Sequence, residues 1–242
     1  MTHARVERHV YLREITQGKR TSLSVLAGMI APGSRVLDLG TGSGALGQYL
    51  SEHSGCTVDG VTINSAEADL ARPYYRRVEV ANLEQPDWGA MFGDERYDFI
   101  VCADVLEHLR EPEVVLGRSL SSLNSTGQVI VSVPNIANLL IRIMLLFGKF
   151  DYQDRGILDR THLRFYTLSS FNALLQNAAC RVVDVVPTPL PVQLVLPWTQ
   201  SPLVAPIHEV HFAMVRLWKT LLAYQFVARA MPCPDRNGLR DS

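Results

Sequence analysis

Residues 36–44, Val-Leu-Asp-Leu-Gly-Thr-Gly-Ser-Gly, set an acid and three alternate glycines at the end of an apolar run. Val36, Leu37 and Leu39 suit a strand buried on both faces of a parallel sheet. Gly40, Gly42 and Gly44 let the backbone turn and approach a ligand closely. The residues that follow open a helix, whose unpaired N–H groups favour a polar or anionic group. This is the chemistry of a nucleotide-type cofactor site. Asp38 narrows it, because a carboxylate two residues before the first glycine serves a cationic amino group and repels a pyrophosphate. Two histidines add proton chemistry: His108, in a Glu-His pair, and His162, in Asp-Arg-Thr-His, titrate near neutrality and suit a general base.

Positioning these groups calls for a sheet. Strands are predicted at 35–39, 56–63, 77–81, 97–103 and 127–133, with helices at 43–53, 65–72 and 112–123 between them. That alternation predicts an α/β fold, a doubly wound, Rossmann-like parallel sheet. Residues 5–30 read as helical, and Arg72–Arg77 as a solvated connection. Beyond Pro134 come an oily helical stretch at 135–149, a helix at 168–179, a strand at 181–186, a helix near 207–219 and a last strand at 221–230. The expected organisation is one domain over 1–232, with a helical cap at 1–32 and a helical lid insertion at 135–165. The polar tail 233–242 is expected to be flexible.

The chain has 242 residues, 47% hydrophobic and 19% charged, with a net charge of −1. One α/β domain fits that length, and the charge argues against electrostatic capture of nucleic acid. The four cysteines lack metal-ligand spacing, and His208 and His211 have no acidic third ligand, so no metal is predicted. The N-terminus has no apolar core of a signal peptide, which predicts a cytoplasmic protein. Residues 135–149 are too few for a transmembrane segment of roughly 20 apolar residues. That stretch is read as a cover for the sheet or pocket, or as a weak contact with a membrane surface.

Three separated motifs resemble one family. From Asp38 the loop reads D-x-G-x-G-x-G; residues 98–109, Asp-Phe-Ile-Val-Cys-Ala-Asp-Val-Leu-Glu-His-Leu, carry a D-x-L-E-H-L signature; and Gly-Gln-Val-Ile-Val-Ser-Val-Pro-Asn follows a proline-started helix. In this order they resemble class I S-adenosylmethionine (SAM) methyltransferases. Residues 156–167 are similar to a segment of bacterial members that act on small molecules, including ones linked to quinone and polysaccharide biosynthesis. The resemblance implies a seven-stranded sheet whose antiparallel last strand lies between the fifth and sixth. It implies SAM as cofactor, held by Asp38, Gly40, Gly42, Gly44, Thr62, Asn82, Leu83 and Asp104. It also implies methylation of a small-molecule acceptor, at a hydroxyl of a biosynthetic intermediate, with His108 or His162 as base. Asn135 is expected to line the pocket, and Tyr11, Lys19 and Arg20 to come from a helix closing over the cofactor.

The sequence departs from that pattern twice. Thr62 stands where an acid usually holds both ribose hydroxyls, and one hydroxyl is not a bidentate charged acceptor. Asn82 replaces an aspartate near the adenine and accepts without charge. Glu84 is a candidate to compensate. These changes keep open a binding or regulatory protein that has the fold without turnover. Gly42, Gly44 and Gly47 also satisfy G-x-G-x-x-G, which keeps open a nicotinamide-dependent oxidoreductase.

Overall fold

The computed structural model describes residue 15 and residues 21–85, 88–190 and 205–233. Seven strands form one sheet in the order β3-β2-β1-β4-β5-β7-β6. They are β1 (Arg35–Leu39), β2 (Thr57–Thr62), β3 (Arg77–Val80), β4 (Tyr97–Ala103), β5 (Leu123–Pro134), β6 (Cys180–Thr188) and β7 (Gln225–Pro232). The first five pair in parallel, and β7 runs antiparallel between β5 and β6. This is the doubly wound sheet that the sequence pattern predicts, with the inserted antiparallel last strand that the family resemblance implies.

Helices close both faces. On one side α1 (Ser22–Gly28), α2 (Ala45–Ser54) and α3 (Ser65–Ala71) pack Leu26, Leu50 and Ala68 against Val36, Val101 and Ile130. On the other, α4 (Pro112–Ser119) and α6 (Leu168–Asn177) set Leu116, Phe171 and Leu175 against Leu37, Ile100 and Val131. Val36, Leu37 and Leu39 are all fully buried, each worth about 1.5–3 kcal/mol. That two-sided burial explains the continuous apolar runs. Helix starts follow local chemistry: Asn64 caps α3, Pro112 opens α4, and Thr167 with Ser170 forms a capping box on α6.

Some boundaries move. The N-terminal helix is described only as α1, and Tyr11, Lys19 and Arg20 lie outside the described residues. The oily stretch makes α5 only over Leu139–Leu146, where Asn138 caps it and Gly148 follows it at a left-handed φ of 68°. Two further helices, α7 (Ala205–Leu217) and α8 (Lys219–Leu222), precede β7. The expected strand at 221–230 therefore starts later, because Leu221 and Leu222 close the turn of α8. The side chains of His208 and His211 lie outside the described residues. Among the described residues no helix is long and apolar enough to cross a membrane.

Candidate active site

The sheet order reverses between β1 and β4, and ligands of open α/β sheets bind in a crevice beyond the carboxyl ends of the strands at such a point. Asp38 and Asp104 stand on its two sides. The glycine loop is tied down from β2: the N–H groups of Gly40 and Thr41 both donate to the Val61 carbonyl, at 2.8 and 3.0 Å. The glycines answer different needs. A Cβ on Gly40 would sit 2.3 Å from Val105 Cγ2, and one on Gly44 would sit 2.7 Å from the α3 backbone at Ala71. Gly42, at φ 50°, has nothing within 4 Å of that position, so there the loop faces open space. Close packing requires Gly40 and Gly44, whereas an added Cβ at Gly42 would meet no neighbour.

Asp38 is buried, and its Oδ2 accepts a 2.6 Å hydrogen bond from the Tyr75 hydroxyl. Tyr75 in turn accepts from the Gly47 N–H at 3.1 Å. Burial pushes the Asp38 carboxyl up to about 6, and the Tyr75 hydrogen bond only partly opposes it. Its Oδ1 is buried without a hydrogen-bond partner among the described residues. Arg72, Pro73 and Arg76 are exposed, as a solvated connection requires, but Tyr75 within it is buried. Its ring fills the space that Gly47 and Gly60 leave, since a Cβ on either would fall within 3 Å of it. Arg76 turns back to pair with buried Asp59, which also accepts from the Tyr97 hydroxyl at 2.7 Å. Composition alone read the segment as surface; the signal it held was a tyrosine facing glycines on two neighbouring elements.

The departures at β2 and β3 resolve as follows. Thr62 Oγ1 donates to Glu67 Oε2 at 3.1 Å, so a mostly buried carboxylate from the first turn of α3 stands beside the position that lacks an acid. Sequence reasoning missed Glu67, although it lies one helical turn past the strand end. Glu84 does not take that place: its Oε1 accepts from the Arg110 and Glu111 N–H groups before α4. Asn82 Oδ1 accepts from the Glu84 N–H at 3.0 Å, and Leu83 is buried in the main core. Apolar Ile63, just after Thr62, is 68% exposed on the rim.

Asp104 adopts φ 57°, a left-handed conformation costly for a non-glycine residue. Its Oδ1 accepts from Ser132 Oγ of β5 at 2.6 Å and from Gln225 Nε2 of β7 at 3.0 Å, so three strands fix it. The next turn carries Glu107 and His108. The Glu107 carbonyl accepts from the Leu163 and Arg164 N–H groups, which draws the 150–165 strap over the end of β4. The His108 and His162 rings meet edge to face, with centroids 4.8 Å apart. His162 Nδ1 lies 3.1 Å from the Ile157 carbonyl, and Nε2 lies 3.9 Å from Glu107 Oε1. His108 Nδ1 faces the Thr161 carbonyl at 3.3 Å. Burial lowers both imidazoles below their usual value, and for His108 the neighbouring His162 lowers it further. Both are therefore neutral at pH 7 and able to accept a proton. Arg160 pairs with Asp154, and Asp159 Oδ1 accepts from the Thr161 N–H at 2.8 Å. Asn135 is a strut rather than a pocket group, and its amide donates to the Ala223 carbonyl at 2.9 Å.

A profile described as a methyltransferase domain matches residues 11–185, and the chain belongs to that family. The protein is similar to a ubiquinone biosynthesis O-methyltransferase of Coxiella burnetii, 25% identical over 158 residues, 63% of this chain and 66% of that protein. It thus spans just under two thirds of that relative's length. A protein of the same name from Pseudomonas fluorescens is 28% identical over 167 residues, 64% of this chain and 67% of the relative. Among solved structures, the fold matches a 1,6-didemethyltoxoflavin-N1-methyltransferase of Burkholderia thailandensis with bound S-adenosylhomocysteine. That match has a TM-score of 0.55 and 18% identity, covering 88% of this chain and 79% of that one. A SAM-dependent methyltransferase of Aquifex aeolicus matches at TM-score 0.54 and 20% identity, over 87% and 88%. The family makes SAM the cofactor, where the glycine spacing alone left a nicotinamide nucleotide open. The residues fit it: an orphaned carboxylate oxygen suits an ammonium, and the loop at Gly42 leaves room for a ligand.

Proposed function

We propose that this protein moves a methyl group from SAM to a hydroxyl of a small-molecule acceptor, the chemistry named for its ubiquinone-biosynthesis relatives. The observation that carries this reading is the pair of imidazoles held neutral beside Asp104, at the end of the strand next to the glycine loop. When bound, SAM supplies a methyl carbon activated by a sulfonium. Asp38 and the loop at Gly42 hold its amino-acid end, and Glu67, backed by Thr62, offers the acid for its ribose. His108, half-buried, takes the acceptor's proton on Nε2 while Nδ1–H donates to the Thr161 carbonyl. His162, whose side chain is 5% exposed, stands behind it as a positioning residue. The strap that carries it covers the crevice from water.

The test is release of S-adenosylhomocysteine with a panel of phenolic and aliphatic hydroxyl acceptors. Turnover is expected to fall away only below pH 6.5, because burial moves both histidines down from that value. His108→Gln should lower kcat by about 10²-fold with SAM affinity kept. Tight binding of S-adenosylhomocysteine with no turnover on any hydroxyl would favour a fold retained for binding alone, a reading that Thr62 motivates.

A further inference from the structure

Asp159 is an acid, only 4% exposed, on the strap that crosses the end of β4. Its Oδ1 accepts from Thr161 twice, from the N–H at 2.8 Å and from the hydroxyl at 2.7 Å. A threonine hydroxyl has one hydrogen, so Oγ1 is left as an acceptor. His108 Nδ1 lies 3.2 Å from that Oγ1 and 3.3 Å from the Thr161 carbonyl. Both neighbours accept, which puts the imidazole proton on Nδ1 and the lone pair on Nε2. That is the tautomer a base at Nε2 needs. The two contacts also keep the carboxylate within the roughly 4–6 Å at which an opposite charge favours an imidazolium.

Closing a local turn accounts for the bond from the Thr161 N–H to Asp159. It does not account for a hydroxyl turned toward a histidine 53 residues away in the chain. We propose that Asp159 and Thr161 are positioning residues for His108, holding its proton on Nδ1 and stabilising the imidazolium that forms in turnover. The proposal rests on the reading of His108 as the base. The acceptor's proton moves to Nε2 as the acceptor oxygen bonds the methyl carbon and the C–S electron pair returns to sulfur. The proton then leaves Nε2 for water, and Asp159 takes up none. Other groups also face His108. The His162 ring disfavours its protonated form, whereas Asp104 at the end of β4 favours it, as Asp159 does. Glu107 stands behind, 3.9 Å from His162 Nε2.

Imidazole nitrogen NMR on the full chain tests this without any acceptor, with the His108 signals assigned by their loss in His108→Gln. The unmodified protein is expected to show the Nδ1–H tautomer at His108. Asp159→Asn keeps an oxygen for both Thr161 donors and removes only the charge. It should lower the titration midpoint of His108 by about one pH unit. With a hydroxyl acceptor, the same variant should lose about tenfold in kcat and carry its acid limb to lower pH, with KM for SAM unchanged. Thr161→Val should lower kcat by a similar factor, and Thr161→Ser, which restores the hydroxyl, should recover it. Unchanged melting and SAM binding will show that the variants fold. An Nε2–H tautomer at His108, or a midpoint that Asp159→Asn leaves in place, would overturn the proposal. Loss of turnover in His108→Gln with full turnover in Asp159→Asn and Thr161→Val would overturn it while leaving the base in place. Full turnover in His108→Gln would remove the base itself, and the proposal with it.

Discussion

Asp38 bears opposing demands in a single side chain. Its folded value near 6 stands above the ordinary 3.8, so the folded protein takes up a proton between those limits. An acid raised in this way costs stability as pH climbs through that window, and the whole cost is present above pH 6. From 3.8 to about 6 it amounts to about 3 kcal/mol at 1.36 kcal/mol per pH unit. A cation at the orphaned Oδ1 favours the charged form, so SAM affinity should rise as pH increases through 6. Asp38→Asn separates the two effects. Without ligand at pH 7.5 the variant should be more stable by up to about 3 kcal/mol, and it should bind SAM at least about tenfold more weakly. Melting and calorimetry on the same samples read both. A variant neither more stable nor weaker in binding would show that the carboxylate serves the loop alone. Glu67→Gln makes a parallel case at the ribose end: affinity should drop about tenfold, whereas Thr62→Val, which leaves the carboxylate in place, should change it little. Equal losses in the two would return the role to Thr62.

At the scale of elements, the loop, α2, β2 and the segment before β3 interlock around one ring. Gly47 on α2 and Gly60 on β2 make room for Tyr75, whose hydroxyl joins the start of α2 to the end of β1. Gly47→Ala would set a methyl group 2.1 Å from the ring, and overpacking of this kind costs about 1–3 kcal/mol. Tyr75→Ala leaves the Gly47 N–H and Asp38 Oδ2 without this partner, each costing about 1–3 kcal/mol. In the double variant the alanine no longer meets a ring, so the combined loss should fall well short of the sum. Strict additivity in denaturant melts would mean that the two residues do not touch. This junction also marks where the sequence was legible. Strand β4 appeared at its observed limits, because a run of Tyr-Asp-Phe-Ile-Val-Cys-Ala is set by local pattern. The burial of Tyr75 was not legible, since it depends on gaps left by glycines 28 and 15 residues earlier. Glu67 escaped notice for a related reason: its value lies in reaching back to Thr62, which only the strand-to-helix turn brings about. His108 and His162 each stood out in the sequence, but their contact depends on the strap folding across β4.

At the scale of the whole molecule, the candidate site lies near the middle of the sheet, at the ends of β1 and β4. Asp104 is fixed by Ser132 of β5 and Gln225 of β7, so the carboxyl-terminal strand takes part in shaping a site that begins at residue 38. Ligand binding at the loop should therefore stabilise the sheet as one unit, out to β7. At a hundred times its dissociation constant, S-adenosylhomocysteine adds about 2.7 kcal/mol, and for a chain of this size that raises Tm by about 5–10 °C. Amides of β7 should gain protection from hydrogen exchange along with those of β1, although β4 and β5 lie between them in the sheet. Gly42→Ala supplies the control. Its positive φ strains any side chain, at about 1–2 kcal/mol, so the unliganded protein should melt only a few degrees lower. The added methyl projects into the open space at the loop, and the ligand-induced rise in Tm should disappear together with the protection at β7. A rise that survives in this variant would place the ligand away from the loop. Protection confined to β1 and the loop would mean that the antiparallel strand only completes the sheet and does not help to hold the crevice.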